Sequence, residues 1–147
     1  MERRKTCDIF ITHAWRYHDD WKRLVALLDE HDPHCWRNFS LPWFDPALKP
    51  GSEFGGKVLR ESLEGQVIPA HAVVLLAGVY EQLGSRKWID FEIEAARKHG
   101  KRIIAMPASG SPDLPPEVRA LAHDTCGWDV RELLRKAEAA GVPQPQT

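Results

Sequence analysis

A chain of 147 residues has room for one ordinary domain and hardly for two. Its 43% hydrophobic and 28% charged residues are ordinary globular values that argue against disorder, and 20 Lys plus Arg against 21 Asp plus Glu give no broad attraction for nucleic acid or an anionic membrane. Cys7, Cys35 and Cys126 lack paired CxxC spacing and read as reduced apolar fillers of a cytoplasmic protein; no signal-peptide pattern follows Met1, and the apolar run 72–80 is too short to span a bilayer.

Cys7-Asp-Ile-Phe-Ile-Thr12, short and rich in β-branched residues, predicts a first buried strand. After a loop at 13–17, Trp21, Leu24, Val25, Leu27 and Leu28 recur at helical spacing behind Asp19 and Asp20, whose charges suit a helix N-terminus. His31-Asp-Pro-His34 breaks that helix, and 35–40 is a candidate second strand. Residues 41–56, punctuated by Pro42, Pro46, Pro50, Gly51, Gly55 and Gly56, predict a long loop, a feature that in compact domains is often functional. A helix through Val58, Leu59, Leu63 and Val67 leads to Ala72-Val-Val-Leu-Leu-Ala77, whose unbroken apolar character predicts a central parallel strand. Ser85 is a candidate N-cap for a helix that closes on Arg97-Lys-His99 before Gly100. Residues 101–106 form the next strand, a turn-rich proline-containing segment follows, and a terminal helix at 130–140 leaves a tail at 141–147.

This alternation predicts a single α/β domain over 1–140, with a mainly parallel sheet, helices on both faces and right-handed crossovers. Ligands of such sheets gather outside the carboxyl ends of the strands, here 12–16, 38–50 and 77–85. On the helix opened by Ser85, Trp88, Ile89, Ile93 and Ala96 form an apolar stripe, and Glu92 falls on the same face one turn after Trp88. Spacing alone leaves Glu92 open between a stripe-edge carboxylate turned to solvent, one paired with a Lys or Arg, and a functional group. The seven histidines show no HExxH or other metal spacing, so no metal is expected.

Asp8-Ile-Phe-Ile-Thr-His13 resembles the opening strand and loop of TIR domains, and Ser85-Arg-Lys-Trp88-Ile-Asp-Phe-Glu92 resembles their Ser-x-x-Trp-x-x-x-Glu motif. With Trp36-Arg-Asn38-Phe-Ser40, Asp45-Pro46, Ala77-Gly-Val-Tyr80 and Gly100-Lys-Arg-Ile-Ile104, the chain over about 8–128 looks like the TIR-like proteins of prokaryotic Thoeris antiphage defence. The resemblance implies a flavodoxin-like three-layer fold and an enzyme that cleaves the nicotinamide N-glycosidic bond of NAD, with Glu92 as the catalytic carboxylate. It implies a product that is ADP-ribose or a cyclised or conjugated derivative, self-association through TIR-like surfaces, a separate effector reached by the product, and no cofactor beyond NAD as substrate.

Candidate nucleotide-binding residues follow from the strand ends and the resemblance: Thr12, His13, Ala14 and Trp15 after the first strand, Asn38, Phe44 and Asp45 in the region of the TIR BB loop, and Trp88 beside Glu92. Bland duties stay open for several of them, namely a core aromatic for Trp88, a structural or surface histidine for His13, and local turn hydrogen bonds for Asn38 and Asp45. Two other function classes also stay open. One is a non-catalytic TIR-like interaction scaffold, and the other is an N-glycoside enzyme resembling nucleoside deoxyribosyltransferases.

Overall fold

The computed structural model describes residues 7–12, 19–38, 61, 64–80, 86–111 and 113–140. The expected loop at 41–56, the N-cap Ser85, the tail, and the site candidates His13, Ala14, Trp15, Phe44 and Asp45 lie outside the described residues. Five parallel strands make one sheet: β1 (Cys7–Ile11), β2 (Trp36–Asn38), β3 (Ala72–Leu76), β4 (Arg102–Met106) and β5 (Asp124–Thr125), in the order β2-β1-β3-β4-β5. That order is the flavodoxin-like one. β1 and β3 are buried along their whole length and β4 from Ile103 onward, as expected of central strands covered on both faces.

The helices are α1 (Asp19–His31), α2 (a described turn at 64–67), α3 (Ala77–Tyr80), α4 (Arg86–Lys98), α5 (Pro116–Leu121) and α6 (Val130–Ala140). Right-handed crossovers place α1 and α6 on one face and α2, α4 and α5 on the other. Contacts between helices agree with this. α1 packs on α6, α4 reaches α2 through Lys98 and His99 to Glu64, and Arg97 of α4 donates to the Leu121 carbonyl of α5. α4 ends in a Schellman turn: Gly100 sits at φ 68°, its N–H bonds to the Arg97 carbonyl at 3.1 Å, and the Lys101 N–H bonds to the Ala96 carbonyl at 2.8 Å.

Three features differ from expectation. The strand expected over 72–77 stops at Leu76, and the segment after it, expected as a strand-end connection from 77, begins with the helical turn α3. Periodicity cannot separate a buried strand from a buried helical turn in a continuous apolar run. The segment read as turns holds α5, with Pro116 where proline favours a helix start, and the two-residue β5. Two histidines complete the sheet in a way that composition does not announce. His71, just before β3, donates its N–H to the Asp8 carbonyl (2.7 Å) and accepts the Asp8 N–H on Nδ1 (3.2 Å). His123, just before β5, repeats the arrangement on Ile103 of β4, at 2.9 and 3.0 Å.

Candidate active site

The strand order reverses between β1 and β3, since β2 lies beyond β1 and β4 and β5 lie beyond β3. A crevice outside the carboxyl ends at such a reversal is the preferred ligand position of open α/β sheets. Thr12 stands at this point. Its N–H bonds to the Val74 carbonyl at 2.9 Å, and its fully buried hydroxyl accepts the Leu76 N–H at 3.1 Å. A side-chain oxygen thus substitutes for the carbonyl that the ladder would otherwise supply, and the ends of β1 and β3 are held together without further main-chain pairing. Asn38, half-buried, is the last residue of β2 and stands in register with Ile9.

Asp20 borders the same edge from the first turn of α1. Its Oδ2 accepts the N–H of Ser109, in the turn that follows β4, at 3.2 Å. Sequence reasoning gave Asp20 only a helix-dipole duty; as a nearly buried carboxylate it also joins two segments that are distant in the chain. No pattern in the sequence pairs 20 with 109.

Glu92 occupies the middle of α4, whose buried face also carries Ile89, Ile93, Ala95 and Ala96. The residue is 0% exposed and neither carboxylate oxygen reaches solvent. This removes the solvent-turned alternative left open by spacing. Taking a carboxylate out of water is unfavourable unless the surroundings compensate, and carboxylates are rarely found fully buried. Among the described residues, two other buried carboxylates, Asp20 and Asp8, make bonds across the fold. Asp20 holds Ser109, and Asp8 receives a bidentate contact from Arg37 at 2.5 and 2.7 Å. That contact raises the guanidinium pKa further above its ordinary value. Trp88 lies on α4 one turn before Glu92, at the motif position.

Cys7 and Cys126 are buried as expected of fillers, whereas Cys35 is half-buried. Burial, aided by Glu138, pushes the Cys7 thiol up to about 12, and burial pushes Cys126 to about 11, so both stay protonated and poorly nucleophilic. Among the described residues no group of three or more His, Cys, Asp or Glu is placed to hold a metal, and no described helix is long and apolar enough to cross a membrane.

Fold and site together define a flavodoxin-order α/β domain with a buried acid on the helix that follows its switch-point strand. The profile of the Thoeris protein ThsB, TIR-like domain, matches residues 10–113, more than two thirds of the chain, and the protein belongs to that family. No curated protein matches the chain significantly. Among solved structures, a Clostridium botulinum CMP N-glycosidase is similar over 89% of this chain and 98% of its own, at 14% identity and a TM-score of 0.47. Likeness at that level has no bearing on chemistry.

Proposed function

We propose that this domain cleaves the nicotinamide N-glycosidic bond of NAD, with Glu92 as the catalytic carboxylate. The observation that carries the reading is the complete burial of Glu92 on the inward stripe of α4, at the glutamate position of the TIR motif. Family membership supports the same assignment.

The chemistry asks for one acid group. The C1′–N bond breaks, its electron pair passes to the ring nitrogen, and the pyridinium leaves as neutral nicotinamide, so no second carboxyl is needed to protonate a leaving oxygen as in ordinary glycoside hydrolysis. Positive charge gathers on the ribose as the bond lengthens. A carboxylate in a water-poor setting stabilises that charge more in the transition state than in the ground state. An oxygen nucleophile, from water or from another part of the ADP-ribose, or a ring nitrogen of adenine, then bonds to C1′ and gives up a proton where it carries one.

In this reading Thr12, His13, Ala14, Trp15, Asn38, Phe44, Asp45 and Trp88 contact the nucleotide, copies of the chain associate through TIR-like surfaces, and the product is an ADP-ribose derivative that signals to a separate effector in antiphage defence. The test is to incubate the protein and its Glu92→Gln variant with NAD over a range of protein concentrations and resolve the products by mass spectrometry. Release of nicotinamide by the wild type, falling at least a hundredfold in the variant, is the expected result. No release by the wild type at any concentration would leave the interaction scaffold as the better reading.

A further inference from the structure

Beside the start of β2, α1 and α6 leave a cleft of about 550 Å³, a volume within the range of small-molecule sites. Cys35 lines its floor, and the adjoining Cys7, bonded through its N–H to the Cys35 carbonyl at 3.0 Å, is buried behind it. One wall is the exposed face of α6. There Arg131 and Arg135, spaced i, i+4, both line the cleft, followed by Glu138. The opposite wall is the end of α1, with His31 and Asp32.

The charges on this wall are arranged against the ordinary economy of a helix surface. One position further round α6, Glu132 and Lys136 form the opposite-charge i, i+4 pair at 3.1 Å that stabilises exposed helices. Arg131 and Arg135 make the like-charge version, which destabilises them. Neither guanidinium has an ion-pair partner among the described residues, although the carboxylates of Asp32 and Glu138 line the same cleft. Two guanidiniums one turn apart can converge on one anionic group, and each offers a planar fork of N–H donors that suits phosphate oxygens. A carboxylate beside them accepts hydrogen bonds from a ribose diol, the duty that acidic residues perform in dinucleotide sites. The half-buried Cys35 and the buried Leu134 contribute apolar surface to the lining.

We infer that this cleft is a second nucleotide site, in which Arg131 and Arg135 hold the pyrophosphate of a nucleoside diphosphate and a carboxylate of the rim, Glu138 or Asp32, holds its ribose. The cleft is lined from α1 and α6, on the other face of the sheet from α4 and Glu92, so it stands or falls independently of the NAD-cleavage reading. Occupancy there would let an ADP-type nucleotide report on the domain without meeting Glu92.

Calorimetric titration with ADP, adenosine and inorganic pyrophosphate tests the inference on the full chain. ADP is expected to bind, adenosine to bind at least tenfold more weakly, and Arg131→Gln/Arg135→Gln to weaken ADP at least tenfold, whereas Glu92→Gln leaves this binding in place. Location is read from thiol labelling. Cys35 is the half-buried thiol that borders the cleft, and Cys7 and Cys126 are shut off by burial. ADP should therefore slow Cys35 alkylation at least fivefold in the wild type and not in the double variant. Equal ADP affinity of wild type and double variant, equal binding of adenosine and ADP, or no ADP binding at millimolar concentration would each overturn the proposal, whether or not NAD is cleaved.

Discussion

Helices α4 and α6 cover opposite faces of one sheet, and the contrast between them separates packing from function. α6 docks with Leu133, Leu134 and Ala137 and keeps every charge at or near the surface. α4 docks with Ile89, Ile93, Ala95 and Ala96, and sets a carboxylate among them. That fully buried carboxylate is the difference between the two docking faces, and it is the group on which the proposed reaction rests.

The largest expected effect lies on α4. Glu92→Gln keeps the side-chain volume and removes the charge, and on the proposed mechanism it costs about 3 kcal/mol of transition-state stabilisation, in line with loss of one electrostatic catalytic group. The fold should be retained, because the side-chain volume is kept. A variant that is both unfolded and inactive would make Glu92 a structural residue and erase the contrast. On α6 the sensitive site is apolar. Leu133→Ala, at a side chain with no exposure, should cost about 2–5 kcal/mol of stability by denaturant titration, without a specific effect on any activity.

Smaller effects sharpen the comparison. Thr12→Val removes the acceptor of the Leu76 N–H and leaves a buried donor without its bond, a loss of about 1–3 kcal/mol; Thr12→Ser should recover most of it. An unchanged melting curve for Thr12→Val would show that the hydroxyl does not hold β1 to β3. On α4, the bonds from His99 and Lys98 hold the Glu64 carboxyl below its ordinary 4.5. A carboxylate with a depressed folded value contributes stability above its unfolded value and loses it as pH falls through the folded one. The tie between α2 and α4 should therefore be complete above pH 4.5 and fade below it. Thermal melts of wild type and Glu64→Gln should converge as pH is lowered through that window, by a small margin given the exposure of the group. Glu132→Gln, which breaks the surface pair on α6, should cost about 0.3–0.5 kcal/mol.

Much of this architecture was legible in the sequence, for identifiable reasons. The limits of α4 were readable because Gly100 and the basic run before it are local signals, and a turn with φ 68° selects glycine whatever surrounds it. β1, β3 and β4 were readable because strands covered on both faces are apolar throughout. The break at Leu76 was not, since nothing local tells Ala77 to turn into α3. α5 and β5 were hidden because proline served as a helix start in a place where it reads as a turn. At the candidate site, Glu92 was visible as a stripe residue out of character, but its depth was not, and the Asp20 to Ser109 bond spans too much chain for any spacing rule to find.

The two histidines that precede β3 and β5 work as keys for the sheet. Each reads one residue of the neighbouring strand through two bonds at once, and each must carry its proton on Nε2 so that Nδ1 remains an acceptor. A slip of one residue in β3 against β1, or of β5 against β4, would present the ring to the wrong peptide and turn the strand's side chains to the opposite face. Strand alignment is thereby written into the tautomeric state of two side chains, where ring nitrogen-15 resonances can read it while the chain folds.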